Sequence, residues 1–184
     1  YIEEIDVTDL EALRADLNAA KGNDRPHLTI LPFVMRAIAH SAKRFPDINA
    51  RFDETTETLS RYAGVHLGIA TQTAGGLVVP VIRDVSARSL WSCAEEVARL
   101  AASARAGHAG REELTGSTLT ITSLGARGGV ATPPIINAPE VAIVGVNRIS
   151  TRPVWRGDAF APRKMLNLSS SFYHRVVVGW TAAE

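Results

Sequence analysis

Residues 170–179 read Ser-Ser-Phe-Tyr-His-Arg-Val-Val-Val-Gly, and this stretch carries the main information on both the fold and the chemistry of the chain. His174 and Arg175 stand inside an apolar run rich in β-branched residues, a pattern typical of the buried end of a strand. An imidazole is neutral about half of the time near pH 6.5, so His174 is a candidate general base at physiological pH. Without further context, the same pattern also fits a partly buried histidine with a structural role.

Helical spacing of apolar residues predicts three helices in the first 106 residues. A capping box at residues 8–11 opens the first helix, and Thr29 and Ser89 are predicted to cap the other two. The ends are expected at Gly22, before Phe45 and near residue 106. The first helix is expected to bury Leu10, Leu13, Leu17 and Ala20.

Alternating or continuous apolar runs predict strands at residues 1–6, within 59–81, and at 117–122, 141–146 and 164–172. Glycines and prolines between residues 125 and 139 predict one long irregular connection, which in a compact domain is more often functional than idle. This order of elements predicts an α/β two-layer sandwich, with a mixed, largely antiparallel sheet and helices packed mainly on one face.

Composition excludes several classes of protein. The 20 basic and 19 acidic residues are spread along the chain, so we expect no nucleic-acid partner. The apolar runs are too short to span a bilayer, which argues against a membrane protein. No His, Cys or carboxylate pair has metal-ligand spacing, so no metal is expected. The lone Cys93 fits a buried small hydrophobe and a reducing cytoplasm.

Both ends of the chain look interrupted. The first residues read as the middle of a strand, and residues 180–184 read as the first turn of a helix. The sequence is therefore interpreted as a single domain, residues 1–184, truncated at both ends.

Five segments in register resemble the catalytic domains of the dihydrolipoyl acyltransferases, the inner cores of 2-oxoacid dehydrogenase complexes, which share a fold with chloramphenicol acetyltransferase. The segment around His174 resembles the family signature. The other four matching segments are residues 43–50, 68–84, 116–125 and 135–140.

The resemblance implies acyl transfer between a dihydrolipoyl thiol and coenzyme A, which act as substrates. It implies that His174 takes the proton from the attacking thiol and that the hydroxyl of Thr122 stabilises the tetrahedral oxyanion. It also implies a homotrimer in which His174 of one subunit faces Thr122 of the next, with a larger core assembly as a further possibility. Arg127 and Arg148 are candidates for the phosphates of coenzyme A, with solvated surface arginines as the alternative.

Three positions depart from the family pattern. The family carries an aspartate before the histidine and a second one four residues after it, where this chain has Tyr173 and Val178. Thr181 stands where close relatives often have aspartate. In the family, the second aspartate pairs with an arginine, so the loss at Val178 predicts impaired activity and an unpaired arginine if that arginine is buried.

Two functional hypotheses follow. The first is an acyltransferase core of reduced activity. The second is a trimeric assembly scaffold, natural or designed, without catalytic activity. Its apolar C-terminal segment would bind a partner, natural or designed, because exposed apolar patches often mark interfaces.

Overall fold

A mixed β-sheet forms the body of the protein, and a computed structural model describes all of it, from Tyr1 to Glu184. The strands, in chain order, are β1 Ile2–Asp6, β2 Ala50–Asp53, β3 Thr58–Arg61, β4 Leu67–Thr73, β5 Gly76–Val78, β6 Val81–Ile82, β7 Leu119–Ser123, β8 Ala142–Val146, β9 Ser150–Trp155 and β10 Phe160–Phe172. The helices are α1 Thr8–Ala20, α2 Leu31–Arg44, α3 Leu90–Arg105 and α4 Gly179–Ala183.

Eight of these strands form one sheet in the order β1-β10-β8-β7-β4-β5, with β6 paired to β4 and β9 paired to β10. The pairs β4–β7 and β7–β8 are parallel, and the other pairs are antiparallel. Strands β2 and β3 form a separate hairpin. The predicted α/β architecture with a mixed, largely antiparallel sheet is confirmed.

The core lies between the sheet and the helices. Helix α2 packs beside α3, and α3 in turn contacts β4 and β6. The buried face of α2 includes Val34, Met35 and Ile38, as its helical spacing predicts. Each such side chain contributes about 1.5–3 kcal/mol when it leaves water, so this face fixes the helix on the sheet.

The predicted helix caps have different outcomes. The hydroxyl of Ser89 accepts a hydrogen bond from the Ser92 N–H at 3.1 Å, which confirms that cap. The prediction of a capping box at residues 8–11 is wrong, because Thr8 lies inside α1 and its hydroxyl donates to the Asp6 carboxylate instead. The second helix is preceded by Ile30 and not by a Thr29 cap.

The long connection between β7 and β8 is held against the sheet by one polar face of β10. Asn167, Ser169 and Ser171 alternate along that strand, so their side chains share a face. Their partners in the connection are the Val130 carbonyl at 2.7 Å, the Thr132 N–H at 3.2 Å and the Pro134 carbonyl at 2.6 Å. These three hydrogen bonds position the connection on this face of β10, next to Gly145 of β8.

The C-terminal apolar run differs from its prediction as a buried strand end. Strand β10 ends at Phe172, and residues 174–176 form a turn. Only Val177 is fully buried, whereas Val178 is 52% exposed and precedes α4. No helix of the protein combines the length and the apolar character that crossing a membrane would need.

Candidate functional site

Thr122 is the last of three threonines on one face of the chain leading into and along β7. The first two are buried and have partners: the Thr118 hydroxyl donates to Asn49 at 2.5 Å, and Thr120 accepts from Asn137 at 3.4 Å. The Thr122 hydroxyl is half-buried and makes no hydrogen bond within the chain. It is therefore the one hydroxyl of this row that is free to bond a ligand.

The free hydroxyl opens into a cavity of about 390 Å³. Gly145 lies opposite Thr122 on β8, and a Cβ there would approach the Ser169 carbonyl oxygen to 2.9 Å. Glycine thus allows β10 to pair closely beside β8 and the long connection, at Thr132 and Pro134, to lie over Gly145. The cavity wall is mainly aliphatic, formed by residues such as Leu77, Val79, Ile135, Ile136 and Ile143.

His174 lies in the turn that follows β10. The Tyr173 N–H donates to the Val141 carbonyl at 2.8 Å, and the Tyr173 carbonyl accepts from Val176 and Val177 at 2.8 and 2.9 Å. His174 and Arg175 are therefore the two central residues of a tight turn. The His174 imidazole is exposed, and it makes no hydrogen bond within the chain.

A single chain does not bring Thr122 and His174 together. Thr122 and Ser169 both pair with Gly145, so they lie level and two strands apart. Strand β10 runs three residues beyond Ser169 to Phe172, whose Cα lies about 14 Å from that of Thr122 at about 3.3 Å per residue and 4.8 Å per strand, and His174 lies in the turn beyond it. None of residues 173–184 lines the cavity at Thr122.

A buried carboxyl that the sequence reasoning did not single out lies beside the start of β7. Glu140 is 4% exposed and accepts hydrogen bonds from Ser117 and from Asn137, the latter at 3.0 Å. Its burial raises the pKa of the Glu140 carboxyl above the usual value. A second cavity of about 510 Å³ is lined by Glu140, Arg51 and Tyr173, among others. The only sequence signal at Glu140 is its place in residues 135–140, one of the segments that resemble the family.

Another histidine, His66, and the remaining predicted residues have structural or solvated positions. Burial lowers the pKa of His66, whose Nδ1 accepts the Asp84 N–H at 3.0 Å. Cys93 is fully buried, as predicted. Arg127 and Arg148 are exposed. The structure contains no group of three or more His, Cys, Asp or Glu side chains placed to hold a metal ion.

Arg175, which follows the histidine, pairs with Glu54 and Glu57 in the absence of a carboxylate at position 178. Two other arginines, Arg51 and Arg152, bury an Nε atom without a hydrogen-bond partner.

Comparison with known proteins gives a consistent picture. The profile of the family "2-oxoacid dehydrogenases acyltransferase (catalytic domain)" matches residues 1–184. The chain is 58% identical over 183 residues to the lipoamide acyltransferase component of the branched-chain alpha-keto acid dehydrogenase complex of Pseudomonas aeruginosa. The alignment covers 100% of this chain and 43% of that protein, so the chain spans less than half of the relative's length.

Solved structures agree with this match. The dihydrolipoamide acetyltransferase of Azotobacter vinelandii superposes with a TM-score of 0.94 at 45% identity, over 100% of this chain and 75% of that one. The investigation of that enzyme concerns the catalytic roles of three residues: a serine, a histidine 52 positions later and an asparagine four positions after the histidine. A chloramphenicol acetyltransferase superposes with a TM-score of 0.55 at 10% identity, over 99% of this chain and 81% of that one, which shows a shared fold.

Proposed function

The chain belongs to the family of 2-oxoacid dehydrogenase acyltransferase catalytic domains, and from this premise we propose that it transfers an acyl group between a dihydrolipoyl thiol and coenzyme A. The observation that carries the proposal is the free Thr122 hydroxyl at the cavity, 52 positions before the exposed imidazole of His174 (174 − 122). The serine and histidine of the Azotobacter vinelandii enzyme have the same separation.

His174 acts as the general base in this proposal. A thiol with a pKa of about 8.5 is mostly protonated at neutral pH, so a neighbouring imidazole accelerates its attack by taking the proton. The thiolate sulfur attacks the thioester carbonyl carbon and forms a C–S bond, and the carbonyl π electrons move to the oxygen. Collapse of this tetrahedral intermediate breaks the other C–S bond, and the leaving thiolate recovers the proton from the imidazolium.

Thr122 stabilises the oxyanion of that intermediate. Its hydroxyl is preorganised on a central strand of the sheet and makes no hydrogen bond within the chain. A donor of this kind, directed at the developing negative charge, contributes about 3–4 kcal/mol to the stabilisation of the transition state.

The proposed site requires two copies of the chain, because within one copy β10 carries the chain about 14 Å away from Thr122 before the turn with His174 begins. Both groups must lie within hydrogen-bond reach, about 3 Å, of the same reacting thiol and thioester, so the base of one subunit would face the hydroxyl of the next. We assign this arrangement to a homotrimer, as the family resemblance implies. The exposed apolar residues at the rim of the cavity, among them Ile135 at 92% exposure, are consistent with such an interface.

The acyl group in this proposal is a branched-chain one. Identity to the branched-chain relative is 58%, against 45% for the Azotobacter acetyltransferase. The cavity at Thr122 is walled by aliphatic side chains, which suits an apolar acyl chain. We expect higher kcat/KM with isobutyryl-coenzyme A than with acetyl-coenzyme A as donors to dihydrolipoamide; a preference for the acetyl donor would overturn this assignment.

The function is tested by measuring acyl transfer between coenzyme A and dihydrolipoamide. His174→Ala is the variant expected to be inactive. His40→Ala is its control, because His40 is an exposed histidine on α2. Turnover that is lost only in His174→Ala supports the transferase. A parent chain that forms trimers but shows no turnover would instead favour the scaffold hypothesis.

A further inference from the structure

The two residues that flank His174 are both attached to the β2–β3 hairpin. The phenol hydroxyl of Tyr173 donates to Glu54 Oε1 at 2.5 Å. Arg175 Nη1 donates to the other oxygen of the same carboxylate at 3.1 Å and to the Tyr173 oxygen at 3.2 Å. Glu54 therefore receives a hydrogen bond from each side of the histidine, and the three side chains close a triangle.

Aromatic contacts add to this triangle. The rings of Phe52 and Tyr173 have centroids 5.3 Å apart, and the guanidinium carbon of Arg175 lies 5.0 Å from the Phe52 centroid. An exposed ion pair alone contributes about 0–1 kcal/mol, so Arg175 and Glu54 would not fix the turn by themselves. Charge-assisted hydrogen bonds, a ring pair and a cation–π contact acting on one turn do restrict it.

The backbone of the turn connects these side-chain contacts to His174. The Tyr173 carbonyl accepts hydrogen bonds from Val176 and Val177, and Val177 is buried. His174 itself has no side-chain partner, so its direction depends on the backbone of the turn and on its two neighbours. Holding residues 173 and 175 on the same carboxylate leaves the imidazole little freedom apart from its own side-chain torsions.

We infer that Glu54, Tyr173 and Arg175 form a positioning clamp that holds the His174 imidazole for catalysis. The inference rests on the proposed function of His174. Glu54 supplies from the hairpin the carboxylate that anchors the turn, whereas residues 173 and 178 carry none in this chain.

Glu57 offers a matched control. It lies on the same hairpin connection, carries the same charge and contacts the same guanidinium at 3.3 Å, but it makes no hydrogen bond to Tyr173. Glu54→Gln and Glu57→Gln therefore remove equal charge from the same surface, and only the first breaks the triangle. Tyr173→Phe removes the hydroxyl and keeps the ring on Phe52.

The test measures kcat, KM and the His174 imidazole NMR cross-peak in the assembled protein. We expect Glu54→Gln and Tyr173→Phe to lower kcat by about tenfold or more, since misplacement by about 1 Å can cost about 100-fold. KM should stay within about twofold in both variants, because the clamp does not bind substrate, and the His174 cross-peak should broaden. Glu57→Gln should match the parent in all three measurements.

The outcomes separate the clamp from the proposed function. If Glu54→Gln and Tyr173→Phe keep the sharp His174 cross-peak of the parent, the clamp is wrong whatever the activity. If His174→Ala retains the turnover of the parent, the assignment of the base is wrong, while the cross-peaks still report on the clamp.

Discussion

Hydrogen-bond partners, and not residue type, separate the roles of the threonines near β7. Thr118 accepts from the His66 N–H at 3.0 Å and donates to Asn49, whereas Thr122 has no partner. Thr118→Val should lower the free energy of unfolding by about 1–3 kcal/mol, because it leaves buried groups unpaired. Thr122→Val should change that free energy by less than about 0.5 kcal/mol.

The activities of the same two variants should show the opposite order. Thr122→Val should lower kcat by about 100- to 1000-fold, because it removes the oxyanion donor. Thr118→Val should retain kcat at temperatures well below its unfolding. Denaturant unfolding and thiol-exchange kinetics on both proteins check this, and equal kcat values in the two variants would contradict the role of Thr122.

Asp6 should make the stability depend on pH in the acid range. Hydrogen bonds from Thr8, and then from Arg163, lower the pKa of Asp6 from 3.8 to about 2. Because the folded state lowers this pKa, the stabilisation is complete above pH 3.8 and is lost as the pH falls towards 2. Asp6→Asn should therefore be less stable than the parent at pH 7, and the difference should shrink towards pH 2.

The control for Asp6 is Asp16→Asn, a change on the exposed side of α1. Its difference from the parent should stay small and nearly constant over the same range. A stability difference for Asp6→Asn that does not change between pH 5 and about pH 2 would show that the Asp6 contacts are absent in solution.

At the scale of elements, Val178 leaves the start of α4 without a side-chain cap. An aspartate at an N-cap accepts a hydrogen bond from the second or third N–H of the helix and contributes about 1 kcal/mol. We expect Val178→Asp to raise the free energy of unfolding by about that amount and to slow hydrogen exchange at Trp180 and Thr181. Val178→Ala is the control without a cap, and equal stability of the two variants would contradict the capping role.

Periodicity predicted the helices well because their apolar faces are local patterns. The α2 face appears in the sequence as it lies in the core, but Leu13 and Ala20 of α1 are exposed, since the sheet covers only part of that helix. Strand β9 was not predicted, because its alternation lies on a hairpin with little core to bury. The two parallel pairings at the centre of the sheet connect strands far apart in sequence, and no local pattern encodes them.

The candidate site was predictable only in part. His174 and Thr122 came from the family resemblance, because an isolated strand threonine carries no functional signal. The clamp could not be predicted, since Glu54 and Tyr173 are 119 positions apart and meet only in the fold. Glu140 gave no sequence signal of its own either, because its burial depends on how the long connection folds back.

At the scale of the whole molecule, the separation of Thr122 and His174 predicts that inactive chains restore each other. Thr122→Val and His174→Ala should each be inactive as homotrimers. In a mixed trimer, an interface that joins the histidine of the first variant to the threonine of the second has an intact site. Random mixing of equal amounts in a cyclic trimer makes about one quarter of the interfaces intact.

Co-refolding the two variants in equal amounts should therefore recover about one quarter of the parental turnover, with native mass spectrometry to verify mixed trimers. If one chain held both groups of its own site, every site in the mixture would lack one group and no turnover would return. Mixed trimers without activity would therefore overturn the shared site, while leaving the fold and the family of the chain as they are.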